Sequence, residues 1–288
     1  MTLCEAFQSQ AVTVSCEIFP PKAFKQMEEV TTVAQDICQL KPAFVSVTYG
    51  AGGKGSSHTI AIAKAVKEAG VEPLFHFTCM GADRASVDAS LADIRAQGIH
   101  SILALRGDIP EGERAPSAFP HASDLIAYIK KVGSFTVGAA CYPQGHPESR
   151  SKAEDLDYLK RKVDAGADFL TTQMFFDNNV LYNFLYRALQ KGIQLPIAAG
   201  IMPVVNAKQI KRICSLSAAA LPPRFAAIVD RFQDDPQAMS QAGIAFATEQ
   251  IIDLVANGVN HIHLYTMNRP HIAQAIFNNL SCIIGGRA

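Results

Sequence analysis

The chain has no tryptophan, no net charge and no C-x-x-C pair, and each absence closes a line of interpretation. Without tryptophan, intrinsic emission comes from the seven tyrosines, which matters for any ligand titration. Lys plus Arg number 26 and Asp plus Glu number 26, so no cationic footprint points to nucleic acid or to an anionic membrane surface. Small molecules and other copies of the chain are the partners to expect. The seven cysteines (Cys4, Cys16, Cys38, Cys79, Cys141, Cys214, Cys282) are odd in number and widely spaced, and most lie in apolar runs. That is a reduced, cytoplasmic pattern without a zinc framework. No uncharged apolar stretch is long enough to span a bilayer, and the opening MTLCEAFQSQAVTV lacks the basic-then-apolar order of an export signal. G-x-S-x-G, Walker A and H-E-x-x-H motifs are missing as well, and His76, His146, His261 and His263 have no metal-ligating spacing, so neither an activated serine nor a resident metal is expected.

What the chain does have is alternation. Apolar residues make up 49%, enough for a full core, and they fall into eight short runs: 12–19, 44–49, 73–79, 101–107, 136–142, 169–176, 195–202 and 261–267. The runs are nearly continuous in apolarity, as parallel strands covered by helices are. Between them the period is helical. Phe24, Met27, Val30, Val33, Ile37 and Leu40 recur three or four apart, and Ala153, Leu156, Leu159 and Val163 do the same. Ser57 and Ser151 read as N-caps, and Gly70 and Gly166 as helix stops. The long interval 203–260 holds extra helices. Eight β-α steps without a linker predict an α/β fold, a single (β/α)8 barrel over residues 1–288 with extra helices between strands seven and eight.

In such a barrel, function sits at the C-terminal strand ends. Here those ends carry Glu17, Thr48 and Tyr49, His76 and Thr78, Arg106 to Asp108, Tyr142 to Glu148, Thr172 and Gln173, and Tyr265 to Arg269. Glu17, between Cys16 and Ile18, has two readings. It is either a buried carboxylate held by a cationic partner, or an acid kept protonated by apolar surroundings and able to donate near neutral pH. Asp108 reads equally as a turn or capping residue. His76 reads as a satisfied core histidine, and Lys160-Arg161-Lys162 as a solvated helix face. The convergence of acids, amide, imidazole and guanidinium on one rim favours acid/base or cofactor-borne chemistry.

Gly50-Ala51-Gly52-Gly53-Lys54-Gly55 matches the dinucleotide-binding pattern G-x-G-x-x-G, but the next strand has no acidic residue at its tip. The loop therefore reads as part of the barrel rim, where backbone approaches a ligand.

Nine motifs, from Glu17-Ile18-Phe19-Pro20-Pro21-Lys22 through F-V-S-V-T-Y-G-A (44–51), H-F-T-C (76–79), L-R-G-D (105–108), Y-P-x-x-H-P-E (142–148), L-K-R-K-V-D-A-G-A (159–167), T-Q-x-F-F-D (172–177) and G-I-M-P (200–203) to Y-T-M-N-R (265–269), resemble the short bacterial methylenetetrahydrofolate reductases from about residue 12 to 280. The resemblance implies FAD as cofactor, NADH or NADPH as transient co-substrate in a ping-pong cycle, folate as substrate, a link to methionine synthesis, and a homo-oligomer. It implies that Glu17 is the general acid, and that Asp108 lies near flavin and folate. It assigns Gln173, Gln209 and Arg269 to the folate. Thr48, Tyr49, Ala51, His76, Arg106, Gly107, Asp108, Ala122, Tyr142, His146, Asp155, Arg161 and Lys162 fall to the flavin. Gln144 and His121 depart from the family pattern, in which Glu and Tyr are common there. With no further residues after 288, a C-terminal regulatory domain is not expected. The motifs T-Q-x-F-F-D and L-R-G-D argue against a proline dehydrogenase-like barrel. A folate barrel that passes a methyl group without redox chemistry is the other alternative.

Overall fold

Strand and helix alternate along the chain because the apolar period alternates. The computed structural model describes residues 2–9, 11–21, 27–49, 56–107, 118–217 and 219–284. Eight parallel strands follow one another in sequence order around a closed barrel: β1 (Thr13–Ile18), β2 (Val45–Val47), β3 (Pro73–Thr78), β4 (Ser101–Leu105), β5 (Thr136–Cys141), β6 (Phe169–Thr172), β7 (Ile197–Ile201) and β8 (His261–Tyr265). A short helix α1 (Leu3–Gln8) precedes them. Helices α2 (Met27–Gln39), α3 (Ser56–Glu68), α4 (Arg84–Ala96), α5 (Ala122–Val132), α6 (Lys152–Asp164) and α7 (Asn178–Gln190) follow β1 to β6 in turn. Three helices, α8 (Ala207–Ser217), α9 (Pro223–Phe232) and α10 (Pro236–Ala256), fill the interval between β7 and β8, as the sequence predicts. Helices α11 (Pro270–Asn279) and α12 (Ser281–Ile284) close the described chain.

Residues alternate between the two faces of each strand. Cys16, Ile18, Val45, Val47, Phe75, Phe77, Ile102 and Val137 point outward into one core shared with the helices. Inside the N-terminal half of the barrel, Phe44, Leu74, Leu103 and Phe169 pack with Leu3 and Phe7. Phe7 stacks on Phe169 with ring centroids 4.8 Å apart, so α1 plugs the bottom. Gly138 makes room for this layer: a Cβ there would lie 2.3 Å from the Phe169 ring. The plug was not foreseen, because a six-residue helix shows too little period to read.

Ser151 caps α6 by accepting a hydrogen bond from the Glu154 amide at 3.2 Å, and Gly70 and Gly166 follow helix ends at φ 82° and 106°. Ser57, expected as a cap, is instead inside α3, whose helical backbone already includes Ser56. The tails of runs six and seven leave the ladder. Met174, Phe176, Met202 and Val204 turn away to pack with Ile210, Phe225 and Met239, which anchors α8 to α10 beside the barrel mouth.

Candidate active site

Inward alternation on β1 carries Ser15 and Glu17 into the upper half of the barrel. Parallel register sets Glu17 beside Ser46 on β2, and Ser15 beside His263 on β8. Glu17 Oε2 lies 3.7 Å from His76 Nε2 and 3.7 Å from His263 Nε2, and it accepts a hydrogen bond from Ser46 Oγ at 3.4 Å. Among the described residues, imidazoles are its only ion-pair partners. The expectation of a Lys or Arg partner is therefore not met. Burial pulls His76 down to about 4, against the upward pull of Glu17, so this ring is neutral at ordinary pH. Its Nε2 is buried without a hydrogen-bond partner. The reading of His76 as a satisfied core histidine is corrected accordingly.

Beside Glu17 on the adjacent strand β8 stands Tyr265. Its hydroxyl donates to the Thr172 carbonyl at 2.7 Å, and burial, followed by the Glu17 charge, holds the phenol well above its ordinary pKa. Gly200 accommodates the ring, since a Cβ would meet Tyr265 Cε2 at 2.7 Å. The Thr266 hydroxyl donates to the Glu17 carbonyl at 2.6 Å. Asn268, at φ 54°, accepts from the Phe19 amide at 3.0 Å and donates to its carbonyl at 2.9 Å. These contacts fix the end of β1 to that of β8.

A second cluster lies at the ends of β4 and β5. Arg106 donates to both Glu148 oxygens, at 2.6 and 2.7 Å, and this bond holds Glu148 below the usual carboxylate range. Lys162 comes from α6 and donates to the Ala140 carbonyl at 2.9 Å; its ammonium is 5.9 Å from the centre of the Tyr142 ring. Burial lowers the Lys162 pKa, opposed by Cys141 and Asp155. Asp155, raised by burial, accepts from Ser149 Oγ at 3.2 Å. His146 meets Tyr142 edge-on at 4.6 Å, and burial lowers its pKa. Lys162 is thus no solvated residue, which corrects the reading of 160–162 as a solvent-facing run. Arg161 keeps to the exposed side, over the Tyr158 ring at 5.1 Å.

Between the clusters, the Thr48 amide donates to the Ile18 carbonyl at 3.0 Å, and Tyr49 packs against the core. Gly107 has φ 91°, and Ala122 opens α5. Gln173 Oε1 accepts from the Met174 amide at 3.0 Å. Gln209 lines a small open pocket with Met202, Pro203, Val205, Ile213 and Met267, and Arg269 precedes α11. Gln144 Oε1 accepts from the Ala220 amide at 3.1 Å, tying the β5 loop to the stretch after α8. Ala51 and Asp108, with the whole of 50–55 and most of the loop 109–121, lie outside the described residues. Ser15, Ser46 and His263 were not among the expected site residues, although polar side chains spaced by two in apolar strands were their signal.

A closed parallel barrel with a carboxyl among imidazoles and hydroxyls, and a half-buried ammonium beside a guanidinium on the same rim, has the makings of a proton-transferring barrel enzyme for an anionic ligand. Residues 2–281 match the family "Methylenetetrahydrofolate reductase", and the chain belongs to that family. It is 37% identical over 270 residues to the 5,10-methylenetetrahydrofolate reductase of Escherichia coli (strain K12), covering 93% of this chain and 90% of that one. The enzyme of the same name from Pectobacterium carotovorum subsp. carotovorum is 36% identical with the same coverage. Methylenetetrahydrofolate reductase (NADH) 1 of Arabidopsis thaliana is 35% identical over 93% of this chain and 48% of its own. Among solved structures, a Clostridium thermocellum protein described as binding two copies of 5-methyl-5,6,7,8-tetrahydrofolic acid has a TM-score of 0.62 at 12% identity, over 97% and 99% of the two chains. At that identity the likeness speaks for the fold alone.

Proposed function

We propose that the chain reduces 5,10-methylenetetrahydrofolate to 5-methyltetrahydrofolate with NAD(P)H as electron donor and FAD as carrier, the whole chain working as one barrel domain. The observation that carries the reading is Glu17: a carboxyl at the inner end of the mouth whose neighbours are imidazoles and a hydroxyl rather than a cation.

A half-buried ammonium and a buried imidazole fit a flavin dinucleotide. Among the described residues, the Lys162 ammonium has one hydrogen bond for its three donors, which suits a phosphate, and His76 Nε2 has none. Arg106, held flat by Glu148, and His146 extend the same surface. Thr48, Tyr49, Ala51, Gly107, Ala122, Tyr142, Asp155 and Arg161 complete the proposed cofactor residues. FAD, when bound, supplies the hydride that it has taken from the nicotinamide.

The protein's own part is the proton. Glu17 transfers its carboxyl proton to the bridging folate nitrogen; the C–N bond of the five-membered ring breaks towards that nitrogen, leaving an iminium ion ready for hydride. Opening the ring needs a proton donor, and Glu17 is the carboxyl that β1 carries into the upper half of the barrel among imidazoles and a hydroxyl. Asp108 is assigned the stabilisation of the cation. Gln173, Gln209 and Arg269 are assigned to the folate, Arg269 to a carboxylate of its tail.

The visible spectrum of the purified protein tests this reading. A yellow protein, or a colourless one that takes up FAD and is then bleached by NADH or NADPH, is expected. A preparation that cannot be reconstituted with FAD overturns it.

A further inference from the structure

The helices between β7 and β8 form a body of their own beside the mouth. Phe225 of α9 stacks on Phe246 of α10 at 3.9 Å, and Arg224 donates to both Glu249 oxygens at 2.9 and 2.7 Å, which fixes α9 to α10. Ile210 of α8 joins the same apolar cluster, and the cluster rests on Met174, Phe176, Met202 and Val204 from just past β6 and β7. The connection from α8 to α9 reaches further round the rim, past β6, to the loop after β5. There Ala219 is buried in the cluster, while Ala220 is exposed and meets Gln144. Its amide donates to Gln144 Oε1 at 3.1 Å, across 76 residues of chain. A backbone N–H only donates, so the atom it faces is the amide oxygen. Gln144 is itself held by a tight turn. The Gly145 amide donates to the Tyr142 carbonyl at 3.0 Å, Pro143 sets the first corner, and Gly145 takes φ 93°, a conformation that favours glycine.

We propose that Gln144 is a positioning residue: its bond from the Ala220 amide latches the α8–α10 body to the loop that carries Tyr142 and His146, and so sets where α8 holds Gln209 across the mouth. Apolar packing keeps the body on the barrel but does not fix its orientation, because it is non-directional; a hydrogen bond further round the rim does. Gln209 and Ile213 of α8 share one pocket with Met202 and Met267, so a small swing of the body moves one wall of that pocket while the Tyr142 side stays in place. The latch is also neutral. An amide accepts the bond without adding a negative group to the rim on which Arg106 and Lys162 stand, and that rim is the side proposed to receive an anion.

The role of Gln209 in this inference rests on the proposed folate reduction, but its first test does not. Amide hydrogen exchange of the full chain is expected to show the Ala220 amide exchanging about tenfold more slowly than in an unstructured peptide, although the residue is exposed. Gln144→Leu removes the acceptor and is expected to abolish that protection, whereas Gln144→Glu, which keeps an acceptor, retains it. An unprotected Ala220 amide in the parent, or equal protection in Gln144→Leu, overturns the latch whatever the enzyme reduces. The second test is kinetic, in the FAD-loaded enzyme. Gln144→Leu is expected to raise KM for methylenetetrahydrofolate about fivefold, within the range of one neutral hydrogen bond, while kcat and the bleaching of the flavin by NADH or NADPH stay within about twofold of the parent. Gln144→Glu restores KM at about 0.5 M salt, where its added charge is screened. An unchanged KM in Gln144→Leu, or equal slowing of both halves of the cycle, overturns the positioning role. Failure of the parent to reduce the folate would instead count against the proposed function, and the exchange of Ala220 then decides on the latch alone.

Discussion

Around Glu17 the neighbouring imidazoles are buried in the barrel, whereas in the second cluster the Arg106–Glu148 pair reaches solvent in front of Lys162, Asp155 and His146, which burial shifts. His76 and His263 are 6% and 1% exposed, while the Glu148 side chain is 57% exposed. The difference separates two tasks on one rim. In the first cluster desolvation decides which atom holds the proton, so a change of one group alters chemistry. In the second, solvent screens the Arg106–Glu148 pair, whose geometry is what counts, so a change there alters binding of an anion.

Mutations sharpen this division. Glu17→Gln carries the largest expected effect: turnover falls by about 10²–10⁴, the range for loss of a general acid, while FAD affinity and melting temperature stay close to those of the parent. Next is acid stability. Folded His76 resists protonation until about pH 4, whereas in the unfolded chain it titrates near 6.5, so between those values unfolding takes up a proton. Stability is expected to fall with pH across that window by up to about 3 kcal/mol, and His76→Gln should flatten the dependence in urea titrations at pH 4.5 and 7. On the charged side, Lys162→Met should weaken FAD by about 100-fold in a fluorescence titration, the scale of two charge-assisted hydrogen bonds. Glu148→Gln is the mildest: about threefold in FAD affinity, less at high salt, because the exposed pair holds Arg106 in place rather than contributing a buried charge. An effect of Glu148→Gln on the pH profile of turnover, or of Glu17→Gln on FAD affinity, would break the division.

The barrel was legible because its outward positions, such as Val45, Val47, Phe75 and Phe77, are apolar without interruption, and helices must cover them. Glu17 stood out for the same reason, as the one carboxylate in such a run. Its surroundings did not. That Ser46 and His263 reach it depends on the register of β1 against β2 and β8, and no local period encodes pairing between residues 17, 46 and 263. Lys162 was hidden in a basic run, in which only the turn of α6 decides that it faces Tyr142 while Arg161 faces outward. The plug α1 escaped because its packing partners, Phe44 and Phe169, lie far along the chain.

The division of labour is tested most directly by rapid mixing of Glu17→Gln holoenzyme, with the two halves of the cycle followed separately by flavin absorbance. The account predicts that NADH or NADPH bleaches the variant at close to the parent rate, and that methylenetetrahydrofolate then fails to restore the colour on the parent's timescale. Equal slowing of both halves would contradict it, and would make Glu17 a structural residue of the barrel neck.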